Sequence, residues 1–186
     1  LNGRLVSTLL SDPISDGGEW KMLANLVKKY GVMPKTFMPE TASSSDSGGM
    51  NALLASKLRE YAKVLRDMNE KEASTTELRE KKGELMEEFY KLLCINLGLP
   101  PETFYWEWRD KDGVFHRRGN ITPVQFYKDY IGIELDDFVS LINAPNKAFN
   151  KLYTVQYLGN MVGGQDTRYL NVDLKTMKRA TIDMIK

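Results

Sequence analysis

Two long amphipathic stretches separated by only a few residues set the strongest limit on how this chain can fold. From about Met50 to Asn69, Leu54, Leu58, Tyr61, Leu65 and Met68 line one stripe while Lys, Arg and Glu cover the other face. That spacing belongs to a helix buried along one side. Ser74 and Glu77 then stand as a capping box, in which each side chain satisfies a backbone N–H that the first helical turn leaves unpaired. They open a second helix, Thr75 to Leu97, with Leu85, Phe89, Leu92, Leu93 and Leu97 apolar. Gly98 ends it and Pro100-Pro101 keeps it ended. Two such helices joined by so short a link predict an antiparallel helical hairpin.

The flanking sequence is more broken. Residues 4 to 11 predict a short helix stopped by Asp12-Pro13. In Asp16-Gly17-Gly18-Glu19-Trp20 a Gly-Gly turn opens a helix from Glu19 to Tyr30, with Asp16 as N-cap and Glu19 in the capping-box position. Gly31 is expected to supply its left-handed C-terminal residue. Val32 to Thr41, with prolines at 34 and 39, should be extended, and Ala42 to Gly49, rich in Ser, Asp and Gly, reads as a linker or surface loop and the likeliest flexible site.

Phe104, Trp106 and Trp108 alternate with polar neighbours, predicting a strand that turns at Asp110 to Gly113 and returns over Val114 to Arg117. Its aromatic face is expected to pack on the helical hairpin. Thr122, Pro123 and Gln125 open a helix to about Tyr130. Phe138 to Ile142 is a short apolar run. Tyr153 to Leu158 and Arg168 to Val172 read as strands around a Gly163-Gly164 turn. Asp173 caps a final helix whose Leu174, Met177, Ile182 and Ile185 should point inward. The fold class is therefore α+β and mainly helical.

At 186 residues and a formal net charge of +1, the chain predicts neither nucleic-acid nor membrane binding from its overall balance. Its single cysteine, Cys94, excludes an internal disulfide and fits a reducing compartment. With His116 the only histidine, multi-Cys and multi-His metal centres are excluded. Leu1 reads as if already inside a helix, and Ile185-Lys186 ends an amphipathic pattern without a cap, so an internal fragment of a longer protein is expected.

No catalytic constellation emerges. Cys94 lies on the apolar stretch of a helix near its C-terminus, where the dipole disfavours a thiolate, and is read as structural. His116 falls in a basic strand and is read as solvent-facing. Glu87-Glu88, Glu134 and Asp136-Asp137 are read as solvated faces, and Asn143 and Asn171 as turn and strand-end residues. The glycine pairs lack phosphate-loop spacings. The aromatic hairpin with Arg109, Arg117 and Arg118 carries a rival reading, stacking of single-stranded bases, against self-burial of the rings, which is preferred.

Several motifs in order carry a family resemblance: Asp16-Gly17-Gly18-Glu19-Trp20, Lys57-Leu58-Arg59-Glu60-Tyr61-Ala62 and Trp108-Arg109-Asp110-Lys111-Asp112-Gly113. Ile121-Thr122-Pro123, Val139 to Pro145 and Tyr157 to Gly164 continue it. The chain resembles the aminopeptidase C and bleomycin hydrolase branch of the papain-like cysteine peptidases. The resemblance implies a fragment of a papain-like fold with a helical insertion, a β-hairpin and short strands of the β lobe. Residues 1–45 would be part of the helical cleft lobe, 46–150 the insertion with its hairpin, and 151–186 the start of the β-rich lobe.

It also implies a cytoplasmic enzyme that removes N-terminal residues from peptides, using a cysteine nucleophile, a histidine base and an orienting asparagine. None of these three has a match here, so no catalytic residue is assigned and the fragment alone is expected to be inactive. Gly17 and Gly18 match the pair whose second member presents its backbone to the substrate main chain, where a side chain would block approach. Trp20 falls where family members shape the pocket for the second substrate residue, with a core role as the alternative. Gln165-Asp166 departs from the family, which often has a basic residue there. No cofactor or metal is implied. The expected partners are a peptide substrate and further copies in a homo-oligomer, hexameric in the family. The alternative is a non-enzymatic nucleic-acid-binding or oligomerisation module.

Overall fold

The computed structural model describes residues 3–15 and 17–185. The chain forms two compact units, Leu1–Gly17 with Pro34–Pro101, and Gly18–Met33 with Glu102–Lys186. Helices and short strands together make an α+β fold, as the sequence predicts.

The first unit is helical: α1 (Arg4–Ser11), α3 (Ala42–Ser45), α4 (Gly48–Glu70) and α5 (Thr75–Leu97). The α4–α5 hairpin forms where expected, with Leu54, Tyr61 and Leu85 buried in it. Its capping box is complete: Ser74 N donates to Glu77 Oε2 at 2.7 Å, and Glu77 N donates to Ser74 Oγ at 3.3 Å. The Ser74 hydroxyl and N–H hold the Glu77 carboxyl below its ordinary pKa. Lys57 ties the two helices by pairing with Glu60 and Glu88, each at 3.1 Å. Arg59 clasps the end of α1, donating from Nε to Leu10 O and from Nη2 to Ser11 O, both at 2.8 Å. A cation there also meets the negative end of the α1 dipole.

Two expectations for this unit are corrected. The serine-rich segment is not linker or loop throughout: Ala42–Ser45 is a helical turn, and α4 already begins at Gly48. Thr41 forms a capping box with Ser44 and also donates from Oγ1 to Asn96 O at 2.9 Å. Ser43 Oγ donates to Asn96 Oδ1 at 3.0 Å, so these hydroxyls anchor the segment. Residues 32–41 are not uniformly extended, because Phe37 N donates to Pro34 O at 3.0 Å and closes a turn.

The second unit holds α2 (Trp20–Tyr30), the hairpin β1 (Phe104–Arg109) and β2 (Phe115–Ile121), α6 (Pro123–Phe126) running into a π turn at Tyr127–Ile131, and a 3-10 turn at Leu135–Asp137. β3 (Ser140–Ile142), β4 (Lys151–Thr154) and β5 (Arg168–Asn171) form a sheet in the order β3-β5-β4, β3 parallel and β4 antiparallel to β5. α7 (Leu174–Ile185) follows. β2 runs further than expected, because Arg118 bulges out between partners of Trp106 and Glu107 while Gly119 takes φ 82°.

α2 starts one residue later than expected. Asp16 lies outside the described residues; Glu19 occupies the N-cap position with extended dihedrals and makes no side-chain cap. Its carboxylate faces Tyr169 instead: burial first, then the Glu19 charge, raises the Tyr169 pKa. At the other end Gly31 takes the positive φ expected, 75°, but with ψ −162° it lies outside the left-handed helical region. Glycine is obligatory there, because a Cβ would sit 2.1 Å from the Pro123 carbonyl carbon.

Within the second unit, the aromatic face packs on α6 and its π turn. The Trp106 ring lies 4.9 Å from Phe126 and the Trp108 ring 5.0 Å from Tyr130. α7 also departs from expectation. Asp173 caps it, accepting from Thr176 N at 3.0 Å, yet Leu174, Ile182 and Ile185 are exposed by 54%, 54% and 80%.

Candidate functional site

The residues singled out by the glycine pair fall on both sides of the unit boundary, Gly17 in the first unit and Gly18 and Trp20 in the second. Gly17 N donates to Ser15 Oγ at 3.1 Å. A Cβ on Gly17 would meet only that oxygen, at 3.4 Å, and one on Gly18 would meet nothing within 4 Å. Neither takes a positive φ. Nothing inside the described residues therefore demands glycine at either position. Gly18 is exposed, and its N–H and C=O form no hydrogen bond among the described residues.

Two residues on, Trp20 opens α2 and forms one wall of a recess of about 570 Å3 in the second unit, opposite Phe138 at 5.0 Å between ring centroids. Val139, Leu152 and Arg168 line it further. The indole Nε1 of Trp20 is buried and has no hydrogen-bond partner among the described residues, a costly state that a native site rarely tolerates without a use.

The recess is braced by α2. Lys21 Nζ reaches Asp136 Oδ1 at 2.9 Å and Gln165 Oε1 at 3.3 Å, and Lys28 pairs with Asp136 Oδ2. Lys28 first and Lys21 second hold the Asp136 carboxyl below the usual carboxylate range. Behind them Asn25, 6% exposed, accepts from Gln165 N at 3.0 Å and donates to Gln165 O at 2.9 Å. This two-way amide clasp presses Gly164 so close that a Cβ would lie 2.8 Å from Asn25 Nδ2. Gly163 turns the chain there at φ 79°. A second buried amide, Asn171, accepts from Ala144 N at 2.8 Å and donates to the carbonyls of Ala144, Lys147 and Ala148.

Sequence reasoning missed most of this brace. Asp136 is part of an ion-pair network with two lysines, not a simply solvated acid. Asn171 is fully buried and organises the 144–148 turn, more than a strand end. Asn25 had one signal, a polar residue on the face of α2 that turns out to be buried.

The discarded nucleophile and base keep structural roles. Cys94 is half-buried near the end of α5, and its hydrogen bond raises the Tyr90 pKa. His116 is not simply solvent-facing: Nε2 lies 2.8 Å from Asp110 Oδ2, and its ring stacks on Trp108 at 5.0 Å. That hydrogen bond is the main reason the Asp110 pKa is lowered. Cys94 belongs to the first unit and His116 to the second. Arg117 lies over Tyr105 and Phe115, at 5.8 and 5.4 Å from the ring centroids, engaged within the hairpin itself. Among the described residues no three His, Cys, Asp or Glu side chains gather as a metal ion would need, and no helix is long and apolar enough to cross a membrane.

A family model described as the Peptidase C1-like family matches residues 1–186. The chain is 46% identical over 187 residues to aminopeptidase C of Listeria innocua and 43% identical over 189 residues to bleomycin hydrolase of Mus musculus. Each match covers 100% of this chain and 42% of the relative. Among solved structures it superposes on PepW from Lactobacillus rhamnosis HN001 with a TM-score of 0.93 at 45% identity, covering 98% of this chain and 42% of that one.

Proposed function

The chain belongs to the Peptidase C1-like family, and on that premise we propose that it is the central part of a cytoplasmic cysteine aminopeptidase. It spans 42% of the length of the curated relatives it matches, and its share of the work is to dock the peptide. Gly18 receives the substrate main chain through its own N–H and C=O, with Gly17 keeping the approach open. Trp20 shapes the adjoining pocket. Thiolate, base and orienting amide come from outside these residues.

The observation that carries this reading is the Gly17-Gly18 pair, two glycines that no φ angle and no internal crowding explain. Two exposed residues without side chains suit the approach of another backbone. The orphaned indole N–H of Trp20 supports completion of its wall by a group from elsewhere. Cys94 and His116 fit no catalytic pair, since His116 is held by Asp110 and Trp108. We further propose that copies of the chain self-associate, which the exposed apolar face of α7 supports.

The test has two arms. In the full-length protein, Gly18→Val should raise KM for peptides with free N-termini about tenfold or more, with kcat and Tm nearly unchanged. Residues 1–186 alone should hydrolyse no such peptide, with or without Cys94→Ala. Activity of the isolated chain that Cys94→Ala abolishes, or an indifferent Gly18→Val, would overturn the reading.

A further inference from the structure

Between α1 and the α4–α5 hairpin the first unit holds a groove of about 370 Å3. Its floor is apolar and half-buried: Val6 and Leu10 from α1, Ala62 and Leu65 from α4, and Leu78 from α5. Three cations line it as well, Arg66 on α4 and Arg79 and Lys82 on α5. The remaining lining, Asn69 and Thr75, is uncharged, so no carboxylate faces the groove.

Arg79 and Lys82 are exposed and have no ion pair or hydrogen bond among the described residues. Their own helix offers them none. The positions three and four residues from Arg79 are Thr75, Thr76, Lys82 and Gly83; those around Lys82 are Leu78, Arg79, Leu85 and Met86. No acid is among them, and the two cations are neighbours on one face, a like-charge arrangement that a helix disfavours by itself. Two nearby acids are committed elsewhere, Asp67 to Lys63 at 2.6 Å and Glu84 to Lys81 at 2.7 Å.

Small-molecule pockets of about 300–1,000 Å3 are mostly apolar, with a few convergent polar groups that fix orientation. This groove lies at the small end of that range, and its charged groups share one sign. Arg79 supplies a planar fork that matches a carboxylate, and Lys82 a point charge beside it. A neutral apolar molecule would cover the floor but leave the two cations unanswered. A small anion would answer the cations but leave the floor wet. A single alkyl chain with an anionic head meets both demands.

We propose that this groove binds a medium-chain fatty carboxylate, its chain over Val6, Leu10, Leu65 and Leu78 and its head at Arg79 and Lys82. The site shares no residue with the peptide-docking wall, so it stands apart from the peptidase reading.

Isothermal titration calorimetry of the full-length protein with decanoate tests it, with circular dichroism to verify that each variant is folded. Decanoate should bind with a Kd on the order of 10–100 μM. From hexanoate to decanoate, affinity should rise up to about fourfold per methylene, and acetate should not bind. Arg79→Gln with Lys82→Gln should weaken decanoate at least about tenfold and flatten the salt dependence of what remains. Ala62→Leu, which fills the floor and leaves the cations in place, should weaken it as well. No binding of decanoate up to millimolar concentration overturns the site. 1-Decanol bound as tightly as decanoate, or indifference to the double Gln variant, overturns the assignment of an anionic head. Binding that survives both the double Gln variant and Ala62→Leu places the ligand elsewhere and overturns the groove.

Discussion

Asn25 commits both ends of its amide to Gln165, which lies 140 residues away in sequence, and that single side chain ties the Gly163-Gly164 turn to α2. Asn25→Ala removes both bonds and strands the Gln165 N–H and C=O beside a cavity. It should destabilise by about 1–3 kcal/mol in chemical denaturation, and Asn25→Leu, which restores volume but no polarity, should not rescue it. Asp136 gives a pH signature. Its folded pKa is depressed, chiefly by Lys28 and then Lys21. The stability it contributes is therefore present above the unfolded value of about 3.9 and lost as pH falls through the depressed folded value. Wild type should melt above Asp136→Asn at neutral pH, and the two Tm curves should converge in strong acid. A gap that persists below that range would assign the difference to something other than this charge. Neither role was legible beforehand, because each depends on a partner far along the chain. What sequence did carry was local: Gly17 and Gly18 stood out by their own identity.

Among the elements, those whose ends are fixed by neighbouring side chains were legible. α5 begins and ends at the positions implied by Ser74, Glu77 and Gly98, and α6 begins at the Thr122 and Gln125 box. α3 was not, since serines favour loops until a carbonyl such as that of Asn96 gives them a partner. The hairpin was read as a strand pair, but its packing partner was not, because three rings on one face need a surface without naming it. The Trp106 and Trp108 rings stack at 5.3 Å with 14° between planes. Trp108→Ala should abolish the exciton signal this pair gives in circular dichroism and cost about 2–3 kcal/mol, below the full value for a buried tryptophan because Trp108 is half-exposed. Loss of stability with the exciton signal intact would show that another ring pair produces it. For α7 the 3.6-residue pattern located an apolar face, but periodicity says nothing about what covers it.

At the scale of the molecule, both units are discontinuous: Gly18–Met33 joins Glu102–Lys186, and the intervening Pro34–Pro101 joins Leu1–Gly17. Gly31 fits against the backbone of Pro123, and Val32 N donates to Pro123 O at 3.2 Å. That arrangement sets an order in time. As the chain leaves the ribosome, α2 emerges early, yet the residues that clasp it at Pro123 and Gln165 have not been made. At synthesis rates of roughly 5–20 residues per second, α2 waits on the order of ten seconds for Gln165. Meanwhile the α4–α5 hairpin, whose contacts are local, can close by itself. During translation the α4–α5 hairpin can thus close before α2 has the partners that clasp it, and until then the 11 residues of α2 hold little helix by themselves.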